Sequence, residues 1–175
     1  MKEDYAKTLV ALAKELGADD AIPFDIADIA FDARTILKCL YGCPGGLAYC
    51  PTTATEASNT MLFQHLIQKY QWGVLIRTDD LEKGQDITIA VERKAFLDGN
   101  TFAFGATECA GCTQCATETG DPCVNRRNLR PPLYSLGIDV YKTVRGLGWT
   151  LDVVQKKRRS CGKHYCSFRG VAAAR

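Results

Sequence analysis

Four cysteines between residues 109 and 123 constrain this chain more than any other feature of its sequence. Cys109, Cys112 and Cys115 form a C-x2-C-x2-C motif, and Cys123 follows after seven further residues. A [4Fe-4S] cluster has four irons, and each needs one terminal thiolate. Three thiolates at this spacing let a short loop curl round one side of such a cube, while the fourth comes from further along the chain. The motif therefore predicts Cys109, Cys112, Cys115 and Cys123 as the ligands of one [4Fe-4S] cluster.

Small residues separate these cysteines. They allow backbone N–H groups to approach the sulfides of a cluster, and hydrogen bonds of that kind help to set its reduction potential. The residues concerned are Ala110, Gly111, Thr113 and Ala116.

Structural zinc is the main alternative at the same site. Zinc also takes four cysteines, often as two separate C-x2-C pairs that build a tetrahedron. Three sulfur atoms crowded at this spacing fit a tetrahedron less naturally, although they do not exclude it. Buried thiols without any metal are the third explanation. We expect iron–sulfur and keep zinc as the alternative cofactor.

A second, weaker cysteine motif lies at residues 39–50. It supplies three thiols as C-x3-C-x6-C, and a proline follows the last of them, as in bacterial ferredoxin motifs. These thiols could hold a second cluster completed by a C-terminal cysteine, or a cluster with one open iron, or they could be buried thiols. All nine cysteines are thus candidate metal ligands: Cys39, Cys43, Cys50, Cys109, Cys112, Cys115, Cys123, Cys161 and Cys166.

Composition excludes several other classes of protein. A chain of 175 residues with 46% hydrophobic and 24% charged residues and a net charge of +2 is neither disordered nor a supercharged nucleic-acid binder. No stretch approaches the roughly 20 apolar residues of a membrane span, and the charged start of the chain does not resemble a signal peptide. We expect a cytoplasmic protein with no membrane partner, since clustered cysteines there bind metal more often than they form disulfides.

The order of predicted elements favours an α/β fold. Apolar spacing predicts helices over residues 2–16, 55–70, 87–97 and 136–147, strands over 22–26, 33–38, 72–77, 101–106 and 149–154, and a polar turn over 79–85. Helix–strand alternation of this kind indicates a single layered domain over residues 1–175, with a mixed, partly parallel sheet and cysteine-rich metal-binding loops. Residues 156–175 form a basic, cysteine-containing C-terminal tail.

The sequence assigns no catalytic residues. With only two histidines, no pairing of nucleophile and base stands out, and neither a dinucleotide-binding glycine motif nor a P-loop is present. Arg126, Arg127 and Arg130 follow Cys123 and are predicted to offset the negative charge of a thiolate-ligated cluster.

These observations predict an oxygen-sensitive iron–sulfur protein of redox chemistry, acting as an electron carrier or as a component of a redox enzyme. A redox protein is the expected partner, and an open iron would add a small-molecule substrate. The alternative is a zinc-stabilised module that binds a protein or, through residues 156–159, a nucleic acid. The small net charge disfavours nucleic acid.

Several further blocks accompany the cysteines in a fixed order. They are Phe96-Leu97-Asp98-Gly99, Phe102-Ala103-Phe104-Gly105, Arg130-Pro131 and Gly137-Ile138-Asp139-Val140. From about residue 30 to residue 155, the chain resembles the uncharacterised family of predicted metal-binding proteins called domain of unknown function 2284, found largely in anaerobic bacteria and archaea. The resemblance implies a metal, with iron–sulfur as its expected form, and little about a reaction.

Overall fold

The computed structural model contains four strands and four α-helices, together with several short 3-10 turns, within the residues that it describes. It describes residues 2–38, 41, 60–119, 121–150 and 168–173. Among the described helices, none has the length and apolar character needed to cross a membrane. The strands are β1 (Asp20–Asp25), β2 (Trp72–Arg77), β3 (Phe104–Ala106) and β4 (Phe168–Ala173), and the helices are α1 (Lys2–Glu15), α2 (Thr60–Ile67), α3 (Leu81–Leu97) and α4 (Val140–Gly146).

The strands form one sheet in the order β1-β2-β4-β3. All three pairings are antiparallel: Leu75 of β2 lies opposite Ile22 of β1 and opposite Gly170 of β4, and Gly105 of β3 lies opposite Val171. Five of the six residues of β2 are buried, which is typical of a strand in the interior of a sheet. The apolar run that predicted this strand therefore reflects burial on both faces.

The predicted partly parallel sheet is not confirmed, because every pairing among the described strands is antiparallel. β2 and β3 do run in the same direction, as the β2–α3–β3 alternation led us to expect, since each is antiparallel to β4. However, β4 lies between them and splits the unit. This strand comes from residues 168–173, which were predicted to be part of the C-terminal tail. Its insertion between β2 and β3 depends on long-range pairing, so the neighbouring elements in the sequence could not predict it.

Helices cover both faces of the sheet and bury two separate apolar clusters. On one face, α1 and α3 pack against alternate residues of β2. That cluster consists of Ala6, Leu9, Ala13, Ala21, Trp72, Val74, Ile76, Ile87, Val91 and Ala95. On the other face, α2, α4 and the turn Leu133–Leu136 surround Leu75. The layered α/β arrangement predicted from the sequence is thus confirmed in its coarse form.

Helix α3 begins six residues earlier than the sequence predicted. Asp80 caps it, because its side chain accepts a hydrogen bond from the N–H of Lys83 at 3.0 Å. The predicted polar turn over residues 79–85 is therefore wrong from Leu81 onward. The predicted end of the helix at Asp98-Gly99 is confirmed, and Gly99 has a φ of 97°, as expected of a glycine after a helix end.

Three other predicted strands differ from the structure. The strand predicted over 101–106 is shorter than expected, since β3 begins at Phe104. The region 33–38 contains a 3-10 turn at Ala33–Thr35, followed by further helical residues, instead of a strand. Trp149 and Thr150 belong to no strand, and the remainder of the predicted strand 149–154 lies outside the described residues.

The chain that enters the first cysteine motif is fixed by the segment around Gly137. The N–H of Asp32 donates to the carbonyl of Gly137 at 2.8 Å, and the N–H of Asp139 donates to the carbonyl of Ala30 at 2.8 Å. The hydroxyl of the buried Thr35 donates to the carbonyl of Tyr134 at 2.9 Å. Gly137 itself has a φ of 78°, in the left-handed region that favours glycine.

We expect Gly137→Ala to lower the free energy of unfolding by about 1–2 kcal/mol, because a Cβ is unfavourable at this φ. Gly146→Ala is the matched control: it lies in α4, outside the left-handed region and with open space around the added Cβ, so stability should stay unchanged or rise by up to about 1 kcal/mol. Denaturant unfolding of both variants measures the difference. Equal losses in the two would contradict this explanation of Gly137.

Candidate metal centre

The four predicted cluster ligands lie on one irregular segment that leaves the sheet at the end of β3. We call residues 107–123 the cysteine loop; apart from a 3-10 turn at Ala116–Thr119, its described residues have no regular secondary structure. Cys109 is exposed, whereas Cys112, Cys115 and Cys123 are half-buried, and all four are thiols rather than halves of disulfides. The donor set therefore fits a metal that takes four thiolates, whether an iron–sulfur cluster or structural zinc.

The structure places these cysteines on one loop but does not bring three of them together as a metal site. Within the described ranges, no three His, Cys, Asp or Glu side chains form a group that could hold a metal ion. The other candidate ligands lie outside the described residues: Cys39, Cys43, Cys50, Cys161 and Cys166. Their roles, and those of the four described cysteines, stay predictions.

One buried side chain of α3 holds the cysteine loop. Gln85 is 1% exposed, and its Oε1 accepts hydrogen bonds from the N–H groups of Ala110 and Gly111 at 2.9 and 2.8 Å. Its Nε2 donates to the carbonyl of Asn128 at 2.7 Å. A single amide thus ties the backbone between Cys109 and Cys112, together with the segment that follows the loop, to the same helix.

This contact gives two of the four small residues of the motif, Ala110 and Gly111, a role that the sequence did not predict. A Cβ added at Gly111 would lie 3.2 Å from Oε1 of Gln85, so the close approach of loop and helix favours glycine. The N–H groups of Ala110 and Gly111, expected to approach cluster sulfides, are hydrogen-bonded to Gln85 instead.

A largely buried ion pair supports the same region about two turns further along α3. Glu92 accepts from Nη2 and Nε of Arg130 at 2.6 and 2.7 Å, and its Oε2 also accepts the N–H of Gly105 at 2.7 Å. The Glu92 carboxylate, mainly through these hydrogen bonds, raises the pKa of Arg130 above its ordinary value. Arg130 is therefore paired with Glu92, whereas Arg126 and Arg127 are exposed.

Gln85, Thr88 and Glu92 lie on one side of α3 at spacings of three and four residues, and we call them the polar face of α3. Thr88 is fully buried and donates its hydroxyl to the carbonyl of Gly84 at 2.7 Å. A Cβ at Gly105 would come within 2.7 Å of Glu92 Oε2, so a larger residue there would have to displace the Glu92 carboxylate. The spacing of these polar residues in the sequence indicates such a face. It was missed because Gln85 was assigned to the predicted turn over 79–85.

Comparison of the sequence with models of known protein families identifies the family of this chain. The sequence profile described as "Predicted metal-binding protein (DUF2284)" matches residues 23–167, which include all nine cysteines. This chain belongs to that family. The resemblance inferred from the cysteines and the Gly137–Val140 block is confirmed, and it extends further towards both ends than we expected. The family description states metal binding without naming a metal, a cluster or a reaction. No curated protein and no solved structure matches the chain.

We expect Arg130→Met to lower the free energy of unfolding by about 2–4 kcal/mol, because it leaves the carboxylate of Glu92 buried without its charged partner. The exposed neighbour Arg127 supplies the control, since Arg127→Met should change stability by no more than about 0.5 kcal/mol. Chemical denaturation of the metal-free proteins measures both. If Arg130→Met were as mild as its control, the Glu92 pair would not support this region.

Proposed function

We propose that this member of the family binds a [4Fe-4S] cluster through Cys109, Cys112, Cys115 and Cys123 and serves as an electron carrier or as the electron-transfer component of a redox enzyme. The observation that carries the proposal is the presence of four thiols on one loop whose backbone is hydrogen-bonded to a buried side chain. A cubane needs four thiolates, and the C-x2-C-x2-C spacing lets three of them come from one short curl of chain.

The surface around the loop supports a role that involves a protein partner. Cys109 is exposed, and Val124, directly after Cys123, is 80% exposed. A bound cluster would supply one-electron transfer at this surface. The exposed Arg126 and Arg127 carry positive charge beside the last ligand, so they would partly offset the negative charge of the ligated loop and attract an acidic redox protein.

A second metal site is part of the same proposal, although its residues lie outside the described ranges. Cys39, Cys43 and Cys50, with Cys161 or Cys166, would hold a second cluster and make the protein a two-cluster relay. If one iron stayed open, that site would bind a small-molecule substrate and the protein would be an enzyme. We also propose the cytoplasm as the compartment, because clustered cysteines there bind metal more often than they form disulfides.

Zinc at the cysteine loop is the second candidate, because structural zinc also takes four cysteine thiolates. Such a site would stabilise the loop and would leave no coordination position open for chemistry. The protein would then be a binding module whose partner contacts the loop surface, and it would transfer no electrons.

We expect the protein purified without oxygen to be brown and to contain about four irons per chain, or about eight if the first cysteine motif holds a second cluster. Cys112→Ala should lower the iron content by about four per chain, because it removes one of four required thiolates. Thr113→Ala, its exposed neighbour on the same loop, should keep the full content. Metal analysis together with electron paramagnetic resonance measures the metal, the cluster type and the number of clusters.

Two results would contradict the iron proposal. One is a colourless protein with about one zinc per chain, which would support the zinc module. The other is a Cys112→Ala variant with the same iron content as Thr113→Ala, which would place the iron away from the cysteine loop. Cys43→Ala separates one cluster from two, since it should cost iron only if the first motif binds metal.

A further inference from the structure

The hydrogen bonds of Gln85 determine which backbone groups of the cysteine loop remain free to contact a metal centre. A side-chain amide oxygen has two acceptor sites. Both sites of Gln85 Oε1 are taken, one by the N–H of Ala110 and one by the N–H of Gly111. Because Gln85 is buried, water does not compete for these bonds, and breaking them would leave a buried amide oxygen without partners.

The position of these two N–H groups matters for an iron–sulfur cluster. They lie between the first and second cysteines of the motif, where backbone N–H groups can donate to cluster or cysteine sulfur. Such hydrogen bonds stabilise the added negative charge of the reduced cluster and so raise its reduction potential. A side chain that accepts the hydrogen bonds of these N–H groups prevents them from donating to sulfur and therefore lowers the reduction potential.

We propose that Gln85 is a positioning residue of the metal site: it fixes the Cys109–Cys112 turn against α3 and withholds the N–H groups of Ala110 and Gly111 from sulfur, which lowers the reduction potential of the cluster. This inference rests on the proposed iron–sulfur function. Its anchoring part concerns only the contacts of the chain itself and can be measured on the metal-free protein.

The experiment compares three variants. Gln85→Leu keeps the size of the side chain but removes every hydrogen bond to the loop. Gln85→Glu keeps an oxygen that can accept from both N–H groups, while it removes the Nε2 donor to the carbonyl of Asn128 and adds negative charge. Thr88→Val is the matched control, because it removes a buried hydroxyl from the same face of α3 whose bond goes to Gly84 and not to the loop.

Amide hydrogen exchange of the metal-free proteins tests the anchor. In Gln85→Leu we expect the amides of Ala110 and Gly111 to exchange at least about fivefold faster than in the unaltered protein, in line with the loss of one hydrogen bond each. In Thr88→Val and Gln85→Glu their exchange should stay close to that of the unaltered protein. Unchanged protection in Gln85→Leu would overturn the proposal.

A redox titration of the iron-loaded proteins, followed by electron paramagnetic resonance, tests the effect on the cluster. The midpoint potential of Gln85→Leu should shift to more positive values, while Thr88→Val should not shift and Gln85→Glu should not move in the positive direction. A potential of Gln85→Leu equal to that of Thr88→Val would overturn the tuning role. If the unaltered protein takes up no iron, the proposed function fails, and the exchange experiment still decides whether Gln85 holds the loop.

Discussion

The arrangement of the cysteine loop depends on a buried polar contact between helix α3 and the chain that leaves strand β3. Gln85 and Glu92 face the same way, and their side chains bind backbone groups before, within and after the cysteine loop. Buried polar groups stabilise a structure only when their hydrogen bonds are made, so loop and helix fix each other. An otherwise irregular segment that carries four thiols thereby acquires a defined place beside the sheet.

The packing of α3 on the sheet explains how this helix can hold the cysteine loop. Its apolar side packs on β2 with α1, while its polar face turns towards the end of β3. β4 lies between β2 and β3, so β3 is held in the sheet by a strand from a distant part of the chain. The second apolar cluster, around Leu75, then fixes the Gly137 segment and the chain that leads to the first cysteine motif.

The parts of the fold that were predicted correctly are those that a short stretch of sequence specifies. The run Trp72–Arg77 gave β2 with its observed bounds, and Gly99 marked the end of α3. The place of β4 depends on pairing with strands more than 60 residues earlier, which no local pattern encodes. The cysteines identified the family and the candidate ligands, but the role of Gln85 stayed hidden because a polar residue near a helix start has the same pattern as a turn residue.

We propose that the four thiols of the cysteine loop hold an iron–sulfur cluster while Gln85 holds the loop. Anomalous X-ray diffraction at the iron absorption edge, from crystals grown without oxygen, tests both parts at once. The expected result is a cluster of iron peaks bound by Cys109, Cys112, Cys115 and Cys123, with the Gln85 amide still bonded to the N–H groups of Ala110 and Gly111. Iron bound only elsewhere in the chain, or zinc within the loop, would contradict it.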